Sequence, residues 1–346
     1  MGGMKGNEEG KSSSSATGDF SKEKTIGSLF NESMINLDHG DPKVFEAYWV
    51  EMDAESSITI TASQSLSYFS DITNLCWFLQ PELANAIRSL HGVVGNAVAG
   101  DRYIVVGNGS SQVFQAALYA LSSDSDEPIN VVSAAPYYSS YPPMADLVKS
   151  RLYHWGGDAN VFDDKDRPYI EVVCSPCNPD GSIRKQVING PDGKLIYDLA
   201  YYWPQFTPIT FQADHDIMMF TASKSTGHAG SRIGWAIVKE ECIARKMTEF
   251  IELNTIGVSK EAQLRVAKIL DFIYDGCRKS ESDEPPQSNV FEYGHRILSE
   301  RWKKLREVVD RTKVFNLAEY PSEHCNFFGK VTKSHPGNER YIMGNI

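Results

Sequence analysis

The sequence has few cysteines, no excess of basic residues and no long hydrophobic run, and each shortage excludes a class of protein. Six cysteines at irregular positions among 346 residues predict scattered thiols in a reducing compartment rather than a disulfide framework. The formal net charge of −11 argues against nucleic-acid binding, which needs a concentrated basic surface. No apolar run approaches the roughly 20 residues that a membrane-spanning helix requires. These shortages favour a globular protein with neither a nucleic-acid nor a membrane partner.

The N-terminus also lacks the apolar stretch of a secretory signal. Its first residues are rich in Gly, Ser and charged side chains, which predicts a disordered tail over residues 1–30. Gly6 stands where a myristoylation signal requires Ser or Thr. We therefore expect a cytoplasmic protein.

Short apolar runs alternate with loops or helical stretches between about residues 103 and 238. The runs are β-branched or aromatic and are bounded by Gly, Pro or Asp, as buried strands are. They are YIVV (103–106), INVVSAA (129–135), YIEVVCS (169–175), KLIYD (194–198), DIMMFTAS (216–223) and WAIV (235–238). Strands separated in this way predict an α/β domain with a largely parallel sheet, which binds ligands at the carboxyl ends of its strands.

Helical periodicity predominates after this region. Residues 239–276 have apolar residues spaced for one buried helix face. The residues on that face are Cys242, Met247, Phe250 and Ile251. Residues 280–288 are polar and predict an exposed loop, and residues 289–310 predict another amphipathic helix. Residues 324–333 are suited to a strand of a second, smaller domain.

The turn after the first predicted strand is a candidate anion site. Gly107 and Gly109 allow close approach of the backbone, and Ser110 and Ser111 stand at the predicted N-terminus of a helix. Gln112 replaces the third glycine of a dinucleotide-binding fingerprint, and no Gly-Lys-Ser/Thr sequence follows. An ordinary β–α turn explains this pattern equally well.

Polar and aromatic side chains follow the later strands. Tyr137 could stack on a flat heteroaromatic ring or simply pack at a strand end. Asn178 lies in an Asn-Pro-Asp-Gly turn, and its amide could donate a hydrogen bond to a ligand oxygen. Asp198 ends an apolar strand and needs a partner there, either a structural arginine or a cationic ligand nitrogen. Tyr201 follows three residues later and could face the same crevice.

Cys174 and Cys177 form a C-x-x-C pair without a second pair at zinc spacing. We therefore expect no metal site.

Residues 219–237, MFTASKSTGHAGSRIGWAI, place one lysine among small and hydroxylated residues. Lys224 follows an apolar strand and precedes Arg232 by eight residues. A desolvated lysine in this position forms Schiff bases with carbonyl compounds. A phosphate-binding lysine and a surface lysine are the alternatives.

In this order, the residues resemble the fold-type-I pyridoxal-phosphate aminotransferases: a GxGSS turn, an aromatic residue, Asn-Pro, Asp-x-x-Tyr, and Thr-x-Ser-Lys with an arginine eight residues later. Whole segments are similar to the plant tryptophan aminotransferase-related proteins, which share an alliinase-type C-terminal domain with alliin lyases. These segments are LDHGDP (37–42), SYFSDITNLCWFL (67–79), LHGVVGNA (90–97), RYIVVG (102–107), YYWPQFTPIT (201–210) and SKSTGHAGSRIGWA (223–236).

The resemblance implies a mostly parallel central sheet with helices on both faces, a smaller α+β domain, and the cofactor pyridoxal 5′-phosphate. Residues 31–60 would be the N-terminal part of the small domain, 61–255 the large cofactor-binding domain, and 256–346 the rest of the small domain.

The resemblance also implies a role for each candidate residue. Lys224 would bind the cofactor as a Schiff base and carry a proton between the substrate Cα and the cofactor. Asp198 would pair with the pyridine nitrogen and keep it protonated. Asn178 and Tyr201 would donate to the 3′ oxygen of the ring, and Tyr137 would stack on its face.

The phosphate-binding set implied by the resemblance is Ser110, Ser111, Thr221 and Arg232, with Gly109 and Ser223 as further cofactor-binding residues. Tyr68 would reach the phosphate from the neighbouring subunit, which makes a homodimer the expected unit. Gly40, in LDHGDP, is a candidate for binding the substrate carboxylate.

Two departures from the family pattern affect these expectations. Cys177 stands where a second Asn is expected before Asn178. Family members also extend several tens of residues further, through a stretch with an arginine that binds the substrate α-carboxylate. We therefore expect a C-terminally truncated chain with reduced turnover, because such an arginine orients the substrate as well as binding it.

The resemblance implies transfer of the amino group of L-tryptophan to a 2-oxo acid such as pyruvate, which yields indole-3-pyruvate, the precursor of auxin. One alternative is β-elimination on S-alkyl-cysteine sulfoxides, as in alliin lyases; the secretory signal and Cys-rich module of those enzymes are missing here. Another is a truncated isoform without catalytic activity.

Overall fold

The fold is described from a computed structural model of the chain. The structure describes residues 42–122, 124, 127–164, 166–279, 289–314 and 316–334. The predicted tail, the predicted loop at 280–288 and Gly40 lie outside the described residues.

A seven-stranded sheet forms the centre of the described chain. Its strands are β1 (Tyr103–Asn108), β2 (Ile129–Ser133), β3 (Tyr153–Asp158), β4 (Tyr169–Cys174), β5 (Gly193–Asp198), β6 (Ile217–Thr221) and β7 (Ile233–Val238). They lie in the order β1-β7-β6-β5-β4-β2-β3, and only β7 runs antiparallel to its neighbours. The prediction of a largely parallel sheet is confirmed.

The six predicted strands are all present, but β3 was not predicted. This strand pairs only with β2, at the edge of the sheet, and only its first residue, Tyr153, is buried. Its sequence, YHWGGD, has two glycines and no aliphatic residue, so it lacks the apolar pattern by which buried strands are recognised.

The helices of the described residues surround this sheet. They are α1 (Glu46–Glu51), α2 (Asp53–Ser56), α3 (Pro81–Val94), α4 (Ser110–Ser122), α5 (Tyr141–Asp146), α6 (Ala222–Ser225), α7 (Glu241–Thr255), α8 (Lys260–Lys279) and α9 (Val290–Thr312). Helices α4 and α7 pack on each other and on β1, while α3 packs on α8. None of the described helices has the length and apolarity needed to cross a membrane.

The helical region at 239–276 is two helices rather than one. Ile256 adopts a left-handed conformation with φ 54°, and Gly257 follows with φ 96°, so α7 ends there. Cys242 is exposed, contrary to the prediction, whereas Met247 and Ile251 are buried. The buried face of α7 begins at Ala244, and Cys242 lies two residues before it, on another side of the helix.

The C-terminal elements follow the prediction with one change. The helix predicted at 289–310 is confirmed as α9, and the Asn289 side chain caps it by accepting from the backbone N–H groups of Phe291 and Glu292. Residues 324–333 were predicted as one strand, but Gly329 (φ 60°) lies in a turn between two antiparallel strands, β8 (Ser322–Cys325) and β9 (Lys330–Lys333). The predicted boundary between two domains near residue 255 stays a prediction.

Candidate active site

Several of the predicted site residues meet at one edge of the sheet. Strands β5 and β6 end there at Asp198 and Thr221, and the turn after β1 lies beside them. Because β7 runs antiparallel, its first residue is at this same edge, and Arg232 immediately precedes it. These residues enclose a cavity of about 260 Å³. Its lining consists of Ser110, Ser111, Tyr138, Cys174, Asn178, Asp198, Ala200, Tyr201, Thr221, Ser223, Lys224, Ala229 and Arg232.

The turn before α4 depends on a glycine with a left-handed backbone. Gly109 has φ 79°, and its N–H donates to the carbonyl of Gly107 at 2.8 Å. A Cβ at this position would overlap the guanidinium of Arg232. The Gln112 side chain accepts from the Asn108 N–H at 2.8 Å and so stabilises the turn from within α4. This bond gives Gln112 a structural role where a dinucleotide fingerprint has glycine.

A second glycine brings β7 against this turn. Gly234 pairs with Gly107 on one side and with Thr221 on the other. A Cβ on Gly234 would overlap the backbone nitrogen of Ser110, so only glycine allows this approach. The close packing brings hydroxyl groups, the N-terminus of α4 and the Arg232 guanidinium together, a combination suited to binding a phosphate.

The loop that contains Lys224 is fixed by hydrogen bonds. Thr221 caps the short helix α6 by accepting from the Ser223 N–H at 3.2 Å, and its hydroxyl donates to the Ile233 carbonyl at 3.3 Å. Gln205 Nε2 donates to the carbonyls of Lys224 and Ser225 at 3.2 and 3.1 Å. The backbone around the lysine is therefore held on both sides.

The Lys224 amine lies over an aromatic ring inside the cavity. Its Nζ is 5.3 Å from the ring centroid of Tyr201, within the range of a cation–π contact. Burial raises the pKa of the nearby Asp198 carboxyl, and the positive charge of Lys224 partly opposes that effect. Lys224 is thus directed into the site rather than to the outer surface of the protein.

Asp198 is held by two donors at the end of β5. Its Oδ2 accepts from the Tyr141 hydroxyl at 2.7 Å, and its Oδ1 accepts from the Ala200 N–H at 3.1 Å. Burial raises the pKa of this carboxyl, while these two hydrogen bonds and the charge of Lys224 act in the opposite direction. No arginine bonds to Asp198 among the described contacts, so the structural-arginine alternative is not supported.

The residue expected to stack on the ring, Tyr137, is not among the residues that line the cavity. Tyr138 lines the cavity, whereas the ring of Tyr137 packs against Trp155 with a centroid separation of 5.0 Å. The two tyrosines are adjacent in the loop between β2 and α5, and only the second of them lines the cavity. Tyr138 precedes α5 and Tyr141 begins it, and this spacing of three residues in AAPYYSSYPP is the one sequence signal for a second tyrosine near the site.

Asn178 reaches the cavity on a loop that other side chains tether. Its N–H donates to the Cys174 sulfur at 3.2 Å. Arg184 donates to the carbonyls of Ala134 and Pro136, both at 2.7 Å, and so joins the loops that follow β2 and β4. A hydrogen bond with Cys174 and burial raise the pKa of the Cys177 thiol. Arg184 also bonds to the nearby side chains of Asp180 and Ser182. Sequence reasoning missed its role in joining the two loops, because the carbonyls of Ala134 and Pro136 lie about 50 residues away in the chain.

Tyr68 does not line the cavity of its own chain. Its side chain is 64% exposed and packs against the ring of Phe69, with 5.6 Å between the ring centroids. Gly40, the predicted substrate contact, lies outside the described residues.

The family of this chain follows from its similarity to known proteins. The family model described as Allinase (Alliinase_C) matches residues 35–339. Tryptophan aminotransferase-related protein 2 of Arabidopsis thaliana is 55% identical over 329 residues, which cover 95% of this chain and 72% of that protein. The protein of the same name from Oryza sativa subsp. japonica is 52% identical over 316 residues, covering 88% of this chain and 62% of the relative. An alliin lyase of Allium cepa var. aggregatum is 37% identical over 306 residues, covering 86% and 62%.

Solved structures share the fold at low sequence identity. An aspartate aminotransferase double mutant of Thermus thermophilus has a TM-score of 0.54 and 17% identity, covering 89% of this chain and 87% of that one. Escherichia coli YbdL, described with a methionine aminotransferase function, has a TM-score of 0.55 and 16% identity, covering 84% and 75%. These similarities confirm the predicted fold type.

The cavity has the chemical groups that pyridoxal phosphate requires. Alliinases and fold-type-I aminotransferases depend on this cofactor. The Gly109 turn, whose missing Cβ leaves room for the Arg232 guanidinium, suits the phosphate, and Asp198 offers a carboxylate to a ring nitrogen. Lys224 supplies an amine for an aldehyde within the same cavity. The chain belongs to the alliinase family of fold-type-I, pyridoxal-phosphate-dependent proteins.

Proposed function

We propose that this chain is an aminotransferase that moves the amino group of L-tryptophan to a 2-oxo acid such as pyruvate, yielding indole-3-pyruvate for auxin synthesis. The observation that supports it best is the arrangement of Lys224, Asp198 and Arg232 around one cavity. The choice of tryptophan rests on the names of the relatives that are 52–55% identical to this chain. A cytoplasmic location stays a prediction.

The phosphate end of the site would be formed by groups from two strands and a helix. The Ser110 and Ser111 hydroxyls and the backbone N–H groups at the start of α4 favour an anion there. Arg232 would add charge-assisted hydrogen bonds from the start of β7. Thr221 and Ser223 complete the set, and Thr221 also holds α6 in place.

Tyr138 and the residues that end β5 would hold the ring of the cofactor. Asp198 would accept a hydrogen bond from the ring nitrogen, and Asn178 and Tyr201 would donate to the ring oxygen. We assign the stacking contact to Tyr138, because it lines the cavity and Tyr137 does not.

Lys224 would act as both attachment point and proton carrier. Pyridoxal phosphate, when bound, supplies an aldehyde that takes up an amino group and a ring that delocalises the electron pair left on the substrate Cα. The Lys224 amine would hold the cofactor in the cavity and would accept and return the proton of the substrate Cα. The contacts of Lys224 favour both roles, because the Tyr201 ring and the Gln205 hydrogen bonds to the lysine backbone restrict where Nζ can lie. Arg232 is the one arginine among the described lining residues, and it is assigned to the phosphate, so the contact to the substrate carboxylate stays unassigned.

We also propose a homodimer in which Tyr68 of the partner subunit completes the phosphate site. Apolar side chains near Tyr68 are exposed in the single chain, namely Leu66, Phe69 and Ile72. A surface of this kind is typical of an interface between subunits.

The test is incubation of the purified chain with pyridoxal phosphate, L-tryptophan and pyruvate. Indole-3-pyruvate is expected with the natural chain and not with Lys224→Ala, while Lys239→Ala, which changes a lysine paired with Asp214, should keep activity. Reduction of the loaded protein with borohydride should attach the cofactor to the peptide that contains Lys224.

Two other outcomes would contradict this proposal, and each would support a different function. Pyruvate and a sulfur product formed from a cysteine sulfoxide without any oxo acid would identify a C–S lyase. Cofactor absorbance that tryptophan leaves unchanged would identify a binding protein without turnover.

A further inference from the structure

The hydroxyl of Tyr141 is one of two donors to the Asp198 carboxylate, and its position suggests a function of its own. The hydrogen bond from Tyr141 to Oδ2 is 2.7 Å long, and the Ala200 N–H donates to Oδ1 at 3.1 Å. Each carboxylate oxygen therefore keeps acceptor capacity for a ligand in the cavity. Tyr141 is not among the residues that line the cavity, so it stands behind Asp198 rather than beside the ligand.

Packing fixes the Tyr141 ring in this position. Tyr141 is the first residue of α5 and is 1% exposed. Its ring lies between those of Phe114 and Tyr138, with centroid separations of 5.3 and 5.5 Å. Burial, together with the charge of Asp198, raises the pKa of Tyr141 well above its usual value. The hydroxyl therefore keeps its proton and donates a hydrogen bond to the carboxylate.

The hydrogen bond from Tyr141 opposes the effect of burial on Asp198. Burial raises the pKa of the Asp198 carboxyl, and the Tyr141 bond is the strongest influence that lowers it, followed by the Ala200 N–H and the Lys224 charge. The titratable groups that face Asp198 are Tyr141 from α5 and Lys224 from α6, and the Cys174 thiol of β4 contacts the Tyr141 hydroxyl. A buried carboxylate that lost the hydroxyl would take up a proton more readily.

We propose that Tyr141 is a positioning residue that keeps Asp198 ionised and directed at a protonated ring nitrogen of the cofactor. This inference rests on the proposed function, because it requires a ligand with a basic pyridine nitrogen. Tyr141 acts on that nitrogen only through Asp198.

The central experiment compares two ligands on one variant. Pyridoxal phosphate and its 1-deaza analogue, in which CH replaces the ring nitrogen, are titrated into the apoproteins of the natural chain and of Tyr141→Phe. We expect Tyr141→Phe to weaken the binding of pyridoxal phosphate by about tenfold, as for loss of a charge-assisted hydrogen bond. The affinity for the analogue should stay unchanged. An equal loss of affinity for both ligands, or no loss for either ligand, would overturn the inference.

Two further variants separate this role from general damage to the fold. Tyr202→Phe removes another buried hydroxyl with a 2.8 Å bond, to the Phe211 carbonyl, and should preserve the affinity for both ligands. Tyr141→Phe added to Asp198→Asn should cause no further loss, because the nitrogen's partner is already neutral. An additional loss in the double variant would count against a role through Asp198.

A measurement without cofactor keeps this inference distinct from the proposed function. In apoprotein labelled with ¹³C-aspartate, the Asp198 carboxyl signal is assigned by its loss in Asp198→Asn. It should titrate at higher pH in Tyr141→Phe than in the natural chain. An unchanged midpoint would refute the role of Tyr141, whereas failure of the natural chain to bind pyridoxal phosphate would refute the proposed function.

Discussion

The guanidinium of Arg232 occupies the space that a side chain at position 109 would need. Arg232 precedes β7 and Gly109 follows β1, so strand pairing brings together two residues that are far apart in the sequence. Position 109 is restricted twice, by this contact and by its φ of 79°.

Gly109→Ala should therefore damage cofactor binding more than it damages the fold. The left-handed backbone would cost about 1 kcal/mol of stability with alanine. Displacement of the Arg232 side chain should in addition lower the affinity for pyridoxal phosphate about tenfold. Titration of the apoprotein with the cofactor measures this affinity. Gly95→Ala is the matched control, because Gly95 has φ 69° with open space around it. Equal affinities in the two variants would contradict the assigned contact.

Replacing Arg232 tests whether this end of the cavity binds phosphate. We expect Arg232→Gln to lower the affinity for pyridoxal phosphate by about 10- to 100-fold, because a charge-assisted hydrogen bond to the phosphate is lost. Binding of pyridoxal, which has no phosphate, should hardly change. Arg245→Gln, which breaks an exposed ion pair with Glu241 on α7, is the control. Similar losses for the two ligands would place the phosphate elsewhere.

Acid should destabilise the chain in a defined pH range. Burial lowers the pKa of His91 to about 4, and that of His228 also to about 4, from an ordinary value of about 6.5. The unfolded chain binds these protons as pH falls below about 6.5, and the folded chain binds them only near 4, so the free energy of unfolding falls across this range.

His91→Gln should reduce this dependence of the free energy of unfolding on pH, which urea unfolding at a series of pH values measures. The full contribution of His91 is about 3 kcal/mol, from the difference of the two pKa values. His154→Gln, at an exposed histidine, should leave the slope as in the natural chain. If the free energy of unfolding depended on pH in the same way in His91→Gln as in the natural chain, the prediction would be contradicted.

The proposed dimer predicts complementation between two defective chains. Tyr68→Phe and Lys224→Ala each damage a site formed by both subunits, and a mixed dimer contains one intact site. Random mixing by co-refolding should restore up to about a quarter of natural activity, because half of the dimers are mixed. Lys224→Ala refolded alone is the control. A mixture no more active than the mean of its components would indicate that Tyr68 does not act across subunits.

The sequence by itself determined most of the strands and the candidate lysine. Apolar runs bounded by Gly, Pro or Asp located β1, β2 and β4 to β7, because burial on both faces of a parallel strand leaves a continuous hydrophobic signal. The edge strand β3, half exposed and rich in glycine, left no such signal. The motif order that singled out Lys224 and Asp198 needed no coordinates, and both side chains line the cavity.

Only the tertiary structure decided which neighbours these residues have. The antiparallel direction of β7 brings Arg232 to the ligand edge, and strand direction cannot be read from a local apolar pattern. The choice of Tyr138 over Tyr137 depends on the path of the chain after β2. The bond between Tyr141 and Asp198 joins residues 57 positions apart, one at the start of α5 and the other at the end of β5. Sequence patterns report local burial, whereas hydrogen-bond partners across the sheet are set by packing of the whole chain.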